Sequence, residues 1–275
     1  MTLKEKHQRL RDLIAECGSA LVCFSGGVDS TLLLRVAHDV LGDRCVALIA
    51  LSPTMAQSEQ RAALELARDI GVRCETVESH ELLREEFKTN PRDRCYSCKS
   101  ELLTIAQPVA KRLGCRAILL GTNLDDLGDY RPGLQAAKDH GARHPLLDAG
   151  LNKQEIRDLS KELGLSTWDK PQLACLSSRF PYGTEITPER LRQVDDFEDG
   201  LRALGFRQLR VRFHGEMARL ELEPDAMPRA LELREAIVKL GKQLGFTFIA
   251  VDLAGFASGS LNQLIGIRPR AGAAK

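Results

Sequence analysis

The chain has 275 residues, with 39 lysines and arginines against 38 aspartates and glutamates, so its formal net charge is +1 at pH 7. Apolar residues make up 43% and charged residues 28%, which is typical of a globular protein with one large domain or two smaller ones. The sequence lacks both the bulk positive charge that attracts nucleic acid and an uncharged apolar run as long as a membrane span. We therefore expect neither nucleic acid nor a membrane as a partner.

The first 16 residues are charged from Lys4 onward, and their apolar residues have the spacing of an amphipathic helix. They lack the apolar region of a signal peptide, so we expect the protein to be cytoplasmic. In that compartment the eight cysteines are expected to be reduced, metal-bound or catalytic instead of disulfide-bonded.

The first candidate site is the hexapeptide Ser-Gly-Gly-Val-Asp-Ser at residues 25–30, which follows an apolar run and precedes a helical pattern. It is therefore predicted to join the carboxyl end of a strand to the amino end of a helix, where open α/β sheets bind ligands. The Gly-Lys-Ser/Thr ending of a Walker A loop is absent. The hexapeptide resembles the PP-loop of ATP pyrophosphatases, and the alternative is an ordinary strand–turn–helix corner.

The residue types in this loop suit a nucleotide phosphate. Gly26 and Gly27 leave backbone amides open and allow positive φ, and the helix amino terminus favours an anion. The hydroxyls of Ser25 and Ser30 can donate hydrogen bonds to the phosphate. Asp29 beside an anion is understandable if Mg²⁺ lies between them. We therefore expect ATP and Mg²⁺ at this loop.

Three more segments are predicted strands, the first an apolar run typical of a buried parallel strand, and helical patterns separate them. Strands alternating with helices predict an α/β fold with a doubly wound parallel sheet. Pro108 is expected to kink or split the second helix. The predicted strands are residues 45–51, 72–77 and 117–121, and the helices are about 58–70 and 98–113.

A second candidate loop follows the last of these strands. Gly121, Thr122 and Asn123 are small or polar residues that can contact a nucleotide at the carboxyl end of a strand. The acid pair Asp125 and Asp126 can hold Mg²⁺ or organise the loop. Such a segment alone is more often a turn or a helix cap. Because it accompanies the first loop, we interpret it as nucleotide-binding, with Asp29 and Asp125 as candidate Mg²⁺ ligands.

The composition changes near residue 170, where Trp-Asp-Lys-Pro at 168–171 is typical of a linker. Before it, Asn152 and Glu155 form a predicted capping box. We expect residues 1–170 to form the nucleotide-binding domain and residues 171–275 a smaller α+β domain. Within the second, patterns predict helices near 188–204 and 225–244, and strands at 209–213, 217–223 and 246–253.

Three cysteines are candidates for chemistry. Cys95 and Cys98 form a Cys-x-x-Cys pair, which fits a redox pair, a zinc half-site or an iron–sulfur half-site. They are expected just before a helix, whose terminus would favour the thiolates. Cys175 lies in a loop after the linker and is a candidate nucleophile or metal ligand. The other five sit in or beside apolar stretches and are interpreted as small buried hydrophobes: Cys17, Cys23, Cys45, Cys74 and Cys115.

Along nearly its whole length the chain resembles the LarE-type, ATP-dependent sulfur transferases of nickel-pincer nucleotide biosynthesis. The hexapeptide alone is shared with synthetases of NAD and GMP and with tRNA-thiolating enzymes, whereas the cysteine pair together with Cys-Leu-Ser-Ser-Arg is more specific. The resemblance implies a PP-loop domain of the adenine nucleotide alpha hydrolase type and a homo-oligomer. The matching segments are residues 25–30, 94–99, 121–126, 129–133, 175–179, 210–215 and 252–262.

The resemblance also implies a two-stage reaction. ATP adenylates a carboxylate of a pyridinium dicarboxylate mononucleotide, and a sulfur species then displaces AMP to give a thiocarboxylate. In the simplest members one cysteine, which aligns with Cys175, gives up its own sulfur and becomes dehydroalanine. Other members carry two additional cysteines, here Cys95 and Cys98, and hold a [4Fe-4S] cluster with all three. In that case the open iron would carry the sulfide for transfer.

A mononucleotide substrate also requires a phosphate site, for which four residues are candidates: Ser178, Arg179, Arg210 and Arg212. Arginine forks suit phosphate groups. Arg210 and Arg212 alternate along one predicted strand face, and without the resemblance we would interpret that face as solvated, with extended arginines. The resemblance instead favours binding of the substrate phosphate.

Three other functions compete with this interpretation. A tRNA-thiolating PP-loop enzyme would need a basic RNA-binding face, which the near-zero net charge disfavours. An amidating synthetase would leave the three cysteines without a role. An ATP-binding regulatory module with structural zinc would bind nucleotide without releasing pyrophosphate.

Overall fold

The computed structural model describes residues 1–128, 132–171 and 174–257. Within it the chain forms two compact units, residues 1–87 with 92–173 and residues 88–91 with 174–275. The division into folding domains of residues 1–170 and 171–275 stays a prediction. Parts of the matched segments at 129–133 and 252–262, and the tail at 271–275, lie outside the described residues. No helix in the described ranges is long and apolar enough to cross a membrane.

The first unit is built on a parallel sheet of four strands, β1 (Ala20–Cys23), β2 (Cys45–Leu51), β3 (Arg73–Glu78) and β4 (Ala117–Leu119), in the order β3-β2-β1-β4. Alternate residues of the central strands pack into different apolar clusters. Ala20 and Val22 face one cluster, whereas Leu21 and Cys23 face the other. A sheet buried on both faces is what a doubly wound fold requires. The predicted fold class is therefore confirmed.

Helices cover both faces of this sheet. Along the first 171 residues they are α1 (Leu3–Ala15), α2 (Val28–Leu41), α3 (Gln57–Ile70), α4 (Glu85–Lys88), α5 (Arg94–Leu113), α6 (Pro132–Asp139), α7 (Pro145–Asp148) and α8 (Lys153–Glu162). On one face α1 contributes Leu10 and Ile14, and α2, α3, α7 and α8 contribute to the same cluster. On the other face α5 and α6 contribute Leu103 and Ala137.

Helix α5 differs from its prediction in two ways. It begins at Arg94, so Cys95 lies in its first turn and Cys98 one turn later, instead of both preceding the helix. It also runs unbroken past Pro108, so the expected split is wrong. Proline has no N–H to donate, so the carbonyl of Thr104, four residues earlier, loses its helical hydrogen bond. Because Pro108 and Thr104 are both exposed, this carbonyl can bond to water instead. The predicted capping box of Asn152 and Glu155 is confirmed at the start of α8.

The second unit is α+β, with α9 (Pro188–Ala203), β5 (Leu209–His214), β6 (Met217–Leu222), α10 (Met227–Glu232), α11 (Arg234–Gln243) and β7 (Phe248–Val251). Strand β6 is central, pairing antiparallel with β5 and parallel with β7. Three aromatic contacts mark the core, with ring centroids 5.1 Å apart for Phe180–Phe213, 5.8 Å for Phe197–Phe246 and 6.1 Å for Phe213–Phe246. The helix predicted at 225–244 is two helices that meet at Leu233.

A short segment preceding α5 belongs to the second unit. Asn90 is buried and adopts a left-handed φ of 53°. Its side chain donates to the carbonyl groups of Phe180 (3.3 Å) and Pro181 (2.8 Å), and its own carbonyl accepts from the Gly183 amide at 3.0 Å. The carbonyl of Lys88 accepts from Ile186 at 2.9 Å. The residues that follow Cys175 are therefore bonded to the residues that precede Cys95.

Candidate active site

The phosphate loop, residues 25–30, connects β1 to α2 as predicted. Gly26 has a φ of +69°, and a Cβ there would lie 3.0 Å from the Cβ of Ala63 on α3. Gly27 is the N-cap of α2 with a φ of −80°, and a Cβ there would meet only Ser25 Oγ, at 3.6 Å. Both glycines were expected to allow positive φ, but only Gly26 uses it. At Gly27 the small size leaves the helix terminus open.

The hydroxyl groups of the loop have different surroundings. Ser30 is buried and donates to the Gly27 carbonyl at 3.1 Å, while the Ser25 amide donates to Ser30 Oγ at 3.3 Å. Thr31 Oγ1 donates to the same Gly27 carbonyl at 2.9 Å. Ser30 therefore stabilises the loop from within. Ser25 is exposed, so its hydroxyl is accessible to a ligand.

The second loop lies directly against the first. A Cβ on Gly121 would lie 3.0 Å from the Ser30 amide nitrogen and 3.1 Å from its Cα, so only glycine fits there. Asn123 is 2% exposed; its Nδ2 donates to Asp29 Oδ1 at 3.2 Å, and its Oδ1 accepts from the Asp125 amide at 2.9 Å. Asn123 thus joins the two loops. Thr122 is half-buried beside it.

Sequence analysis missed the lysine that binds Asp29. Lys153 Nζ lies 2.5 Å from Asp29 Oδ2, and the Lys153 amide donates to Asp125 Oδ2 at 2.7 Å. The two candidate Mg²⁺ ligands are therefore linked through one residue at the start of α8. Because Lys153 follows Asn152, the capping box that was recognised already marked where this helix begins.

The segment 168–171, expected to be a linker, is bonded to the phosphate loop. Lys170 Nζ donates to the Gly26 carbonyl at 3.0 Å and to Glu59 Oε2 at 2.6 Å. A linker composition does not reveal such a contact, because the partners lie more than a hundred residues away in sequence. The linker itself stays a prediction, but its Lys170 side chain is held at the phosphate loop.

Two of the three candidate cysteines are exposed. Cys95 and Cys175 are exposed, and Cys98 is half-buried one turn after Cys95. Residues three apart in a helix share a face, so the pair presents two thiols together. Among the described residues, no group of three or more His, Cys, Asp or Glu side chains is close enough to hold a metal ion.

The predicted burial is confirmed for three of the other five cysteines, and two are only half-buried. Cys17, Cys23 and Cys45 are buried, and Cys74 and Cys115 are half-buried. Burial raises the pKa of Cys23 to about 11 and that of Cys45 to about 12. Neutral thiols of this kind are poor nucleophiles at physiological pH.

The loop carrying Cys175 is held by Arg179, which is buried. The guanidinium forms two 2.9 Å bonds to Glu198, and its Nη1 donates to the carbonyl of Ala174 at 2.8 Å and to that of Cys175 at 3.3 Å. Burial opposes its charge, but the Glu198 carboxylate outweighs this and raises the pKa of Arg179. These donors point into the protein, so Arg179 positions the cysteine loop.

Strand β5 carries two buried arginines, so a solvated face of extended arginines is excluded. Arg212 is ion-paired with Glu221 at 2.7 Å and donates to the Ser178 carbonyl at 2.5 Å. Arg210 lies 4.5 Å from the Phe256 ring centroid and donates to the Ala257 carbonyl at 3.3 Å.

These two arginines differ in how their charge is compensated. Burial lowers the pKa of Arg210 to about 10, and the nearby charges of Arg212 and Arg179 add to the effect. Among the described residues, Arg210 has no carboxylate within salt-bridge distance. A buried guanidinium of this kind is well suited to an anion.

Comparisons with known proteins agree with this fold and site. The family model described as NAD synthase matches residues 2–99. One subunit of the glutamine-hydrolyzing GMP synthase of Thermococcus kodakarensis is 27% identical over 213 residues, covering 70% of this chain and 66% of that relative. Together with the phosphate loop at the end of β1, these likenesses define the protein as a PP-loop enzyme that uses ATP.

Two relatives match the chain nearly end to end. An uncharacterized protein of Synechocystis sp. is 45% identical over 266 residues, covering 96% of this chain and 99% of the relative. The pyridinium-3,5-bisthiocarboxylic acid mononucleotide synthase of Lactiplantibacillus plantarum is 37% identical over 265 residues, covering 96% of each chain. The chain therefore belongs to the LarE-type family of ATP-dependent sulfur transferases.

The two loop glycines predict different mutational outcomes. We expect Gly26→Ala to lower the unfolding free energy by about 1–3 kcal/mol, since it combines a left-handed φ with a close contact. Gly27→Ala should melt like the parent protein but bind ATP more weakly, because its methyl group shields the helix terminus. Melting curves and calorimetric titration with ATP test both. Unchanged ATP affinity in Gly27→Ala would contradict this assignment.

Cysteine reactivity should follow the burial and the pKa of each thiol. At pH 8 we expect iodoacetamide to modify Cys175 and Cys95 first, and to leave Cys23 and Cys45 unmodified, because their raised pKa values keep them neutral. Peptide mass spectrometry against time measures the order, and urea-unfolded protein, in which all eight should react, is the control. Labelling of Cys23 as fast as that of Cys175 would contradict the burial of Cys23.

Proposed function

We propose that this protein adenylates a carboxylate of pyridinium-3,5-dicarboxylate mononucleotide and converts it to a thiocarboxylate. The name of the Lactiplantibacillus plantarum relative supports this class of substrate. The observation in the structure that carries the proposal is Arg210, a buried cation with no described carboxylate within salt-bridge distance. A mononucleotide phosphate would supply the missing negative charge.

The reaction has two group transfers. A carboxylate oxygen of the substrate attacks the α-phosphorus of ATP, and the bond to the β-phosphate oxygen breaks to release pyrophosphate. A sulfur nucleophile then attacks the acyl carbon of the adenylate, and AMP leaves with the electron pair of the broken C–O bond. The acyl group keeps the sulfur as a thiocarboxylate.

The first unit supplies the nucleotide site in this proposal. The amides at Gly26 and Gly27 and the exposed hydroxyl of Ser25 would bind the phosphates of ATP, with Ser30 holding the loop in place. The second loop would contact the rest of the nucleotide through Gly121, Thr122 and Asn123.

The carboxylates of Asp29 and Asp125 fit Mg²⁺ by their chemistry, since this ion prefers oxygen ligands and usually binds through one or two carboxylates and substrate phosphates. Lys153 now occupies this position with its ammonium group. Mg²⁺ bound here would take the place of the Lys153 ammonium beside Asp29. It would supply positive charge that neutralises the phosphate oxygens.

In the second unit, the substrate phosphate is assigned chiefly to Arg210. The Arg212 guanidinium donates to the Ser178 carbonyl, so these two residues are neighbours. They would complete the phosphate site. Arg179, also a candidate from the sequence, is committed to Glu198 and to the cysteine loop. Its contribution is therefore to place Cys175 instead of binding phosphate.

The donor set Cys95, Cys98 and Cys175 fits a [4Fe-4S] cluster by its chemistry, since thiolates are the usual cluster ligands and Cys95 and Cys175 are exposed. No such group of described side chains is close enough to hold a metal ion, so the assignment rests on the donor chemistry. When bound, such a cluster supplies an iron with an open position for the sulfide to be transferred. The alternative sulfur source is Cys175 itself.

The working state that we propose is a cytoplasmic homo-oligomer acting on a small-molecule substrate, with no nucleic-acid partner. The cytoplasm fits a chemistry that depends on reduced thiols.

The role of Arg210 is tested by Arg210→Met, which removes the charge and keeps much of the volume. We expect substrate mononucleotide binding to weaken roughly 10- to 100-fold, since a hydrogen bond to a charged group is worth about 1.5–3 kcal/mol. ATP affinity should not change. The melting temperature should hold or rise without substrate, because the lowered pKa means that the fold disfavours the charged guanidinium. Calorimetry measures both ligands.

The exposed Arg207→Met variant is the control for this experiment, and it should resemble the parent protein. Equal losses for ATP and for the mononucleotide, or a large fall in melting temperature, would show that Arg210 serves the fold.

The sulfur source is tested on protein purified without oxygen. We expect iron and acid-labile sulfide, and we expect Cys95→Ser, Cys98→Ser and Cys175→Ser each to lose them, whereas Cys74→Ser, outside the donor set, keeps them. Intact-protein mass spectrometry after one turnover should show an unchanged chain. A mass decrease equal to H₂S, mapped to dehydroalanine at Cys175 in cluster-loaded protein, would assign the sulfur to Cys175. Zinc in place of iron would rule out the cluster.

A further inference from the structure

The segment 167–171 lies against the phosphate loop, although no motif marks it. The ammonium of Lys170 bonds to the Gly26 carbonyl at 3.0 Å and to Glu59 Oε2 at 2.6 Å. Its side chain is 18% exposed and that of Glu59 20%, so the contact is largely shielded from water. Glu59 lies on α3, one turn before Ala63, which packs on the same glycine.

Helix α8 holds this segment in place. Arg157 Nη1 donates to the Trp168 carbonyl at 2.6 Å, and Arg157 Nη2 donates to the Lys170 carbonyl at 2.8 Å. Lys161 lies 4.7 Å from the centroid of the Trp168 ring. With Lys153, which binds Asp29, these residues form a row of cations four apart along one helix face.

The bond from Lys170 determines the direction of an amide. The Gly26–Gly27 peptide is trans and planar, so its carbonyl and its N–H point in opposite directions. Because the carbonyl accepts from Lys170, the Gly27 N–H points away from Lys170. On the other side, Ala63 packs so closely that it leaves no room for a Cβ on Gly26.

We propose that Lys170 is a positioning residue of the nucleotide site, which turns the Gly27 amide toward the phosphates of ATP by holding the Gly26 carbonyl. Glu59 and Arg157 fix Lys170 in turn, one through its ammonium and the other through its carbonyl. The inference rests on the use of ATP by this family and is independent of the sulfur source and of the substrate phosphate site.

A direct role is the competing arrangement, in which Lys170 leaves Gly26 and bonds to a phosphate itself. The two arrangements predict opposite effects for Glu59. If Lys170 acts through Gly26, loss of the Glu59 carboxylate releases the ammonium from its anchor and weakens ATP binding. If Lys170 binds phosphate, loss of the competing carboxylate strengthens ATP binding.

The test measures binding of a non-hydrolysable ATP analogue and of adenosine by calorimetry. We expect Lys170→Met and Glu59→Gln each to weaken binding of the ATP analogue roughly tenfold. The affinity for adenosine should change less than about twofold. Lys170→Arg, which can still donate to the carbonyl, should recover most of the loss. The controls are Lys111→Met and Glu65→Gln, which remove exposed charges from α5 and α3.

Three results would overturn the inference. Unchanged analogue affinity in Lys170→Met would show that the contact has no role. Tighter binding in Glu59→Gln would assign Lys170 to the phosphate itself. Equal losses for the analogue and adenosine, with a lower melting temperature, would make the contact structural. Failure of the parent protein to bind the analogue would instead remove the ATP site that both assignments share.

Discussion

The proposed nucleotide site depends on the close approach of two loops at the carboxyl edge of the sheet. Gly121 lies so near the backbone of Ser30 that no side chain fits between them. This approach lets Asn123 reach Asp29, and Asp29 in turn bonds Lys153 on α8. Residues from three distant parts of the sequence thereby fix one carboxylate beside the phosphate loop. A parallel sheet makes this possible, since all its strands end at the same edge.

In the second unit, buried ion pairs hold the segment that carries Cys175. Buried ion pairs such as Arg179–Glu198 and Arg212–Glu221 add little net stability, because desolvation of both partners offsets their attraction. Their geometry is what matters here, since both arginines also donate to carbonyl groups of the segment 174–178. The segment bearing Cys175 is thus held by directional bonds from the buried core of this unit.

Features that depend on local pattern were predictable from the sequence. Apolar runs gave the strands of the parallel sheet, and the capping pair Asn152 and Glu155 gave the start of α8. Features that depend on distant contacts were not. The contact of Lys170 with Gly26 spans more than a hundred residues, and the burial of Arg212 depends on its pairing with Glu221 across two strands. Alternation along β5 gave the two faces of the strand but not that both of them would be buried.

The two units treat positive charge differently. At the phosphate loop each lysine already has a carboxylate partner, Asp29 for Lys153 and Glu59 for Lys170. In the proposed function ATP and Mg²⁺ would exchange with these ion pairs, and only the surplus would contribute to affinity. Among the described residues Arg210 has neutral partners instead, the Ala257 carbonyl and the Phe256 ring. Because a charge-assisted hydrogen bond is stronger than a neutral one, a phosphate that replaced these partners would give up less than ATP gives up at the lysines.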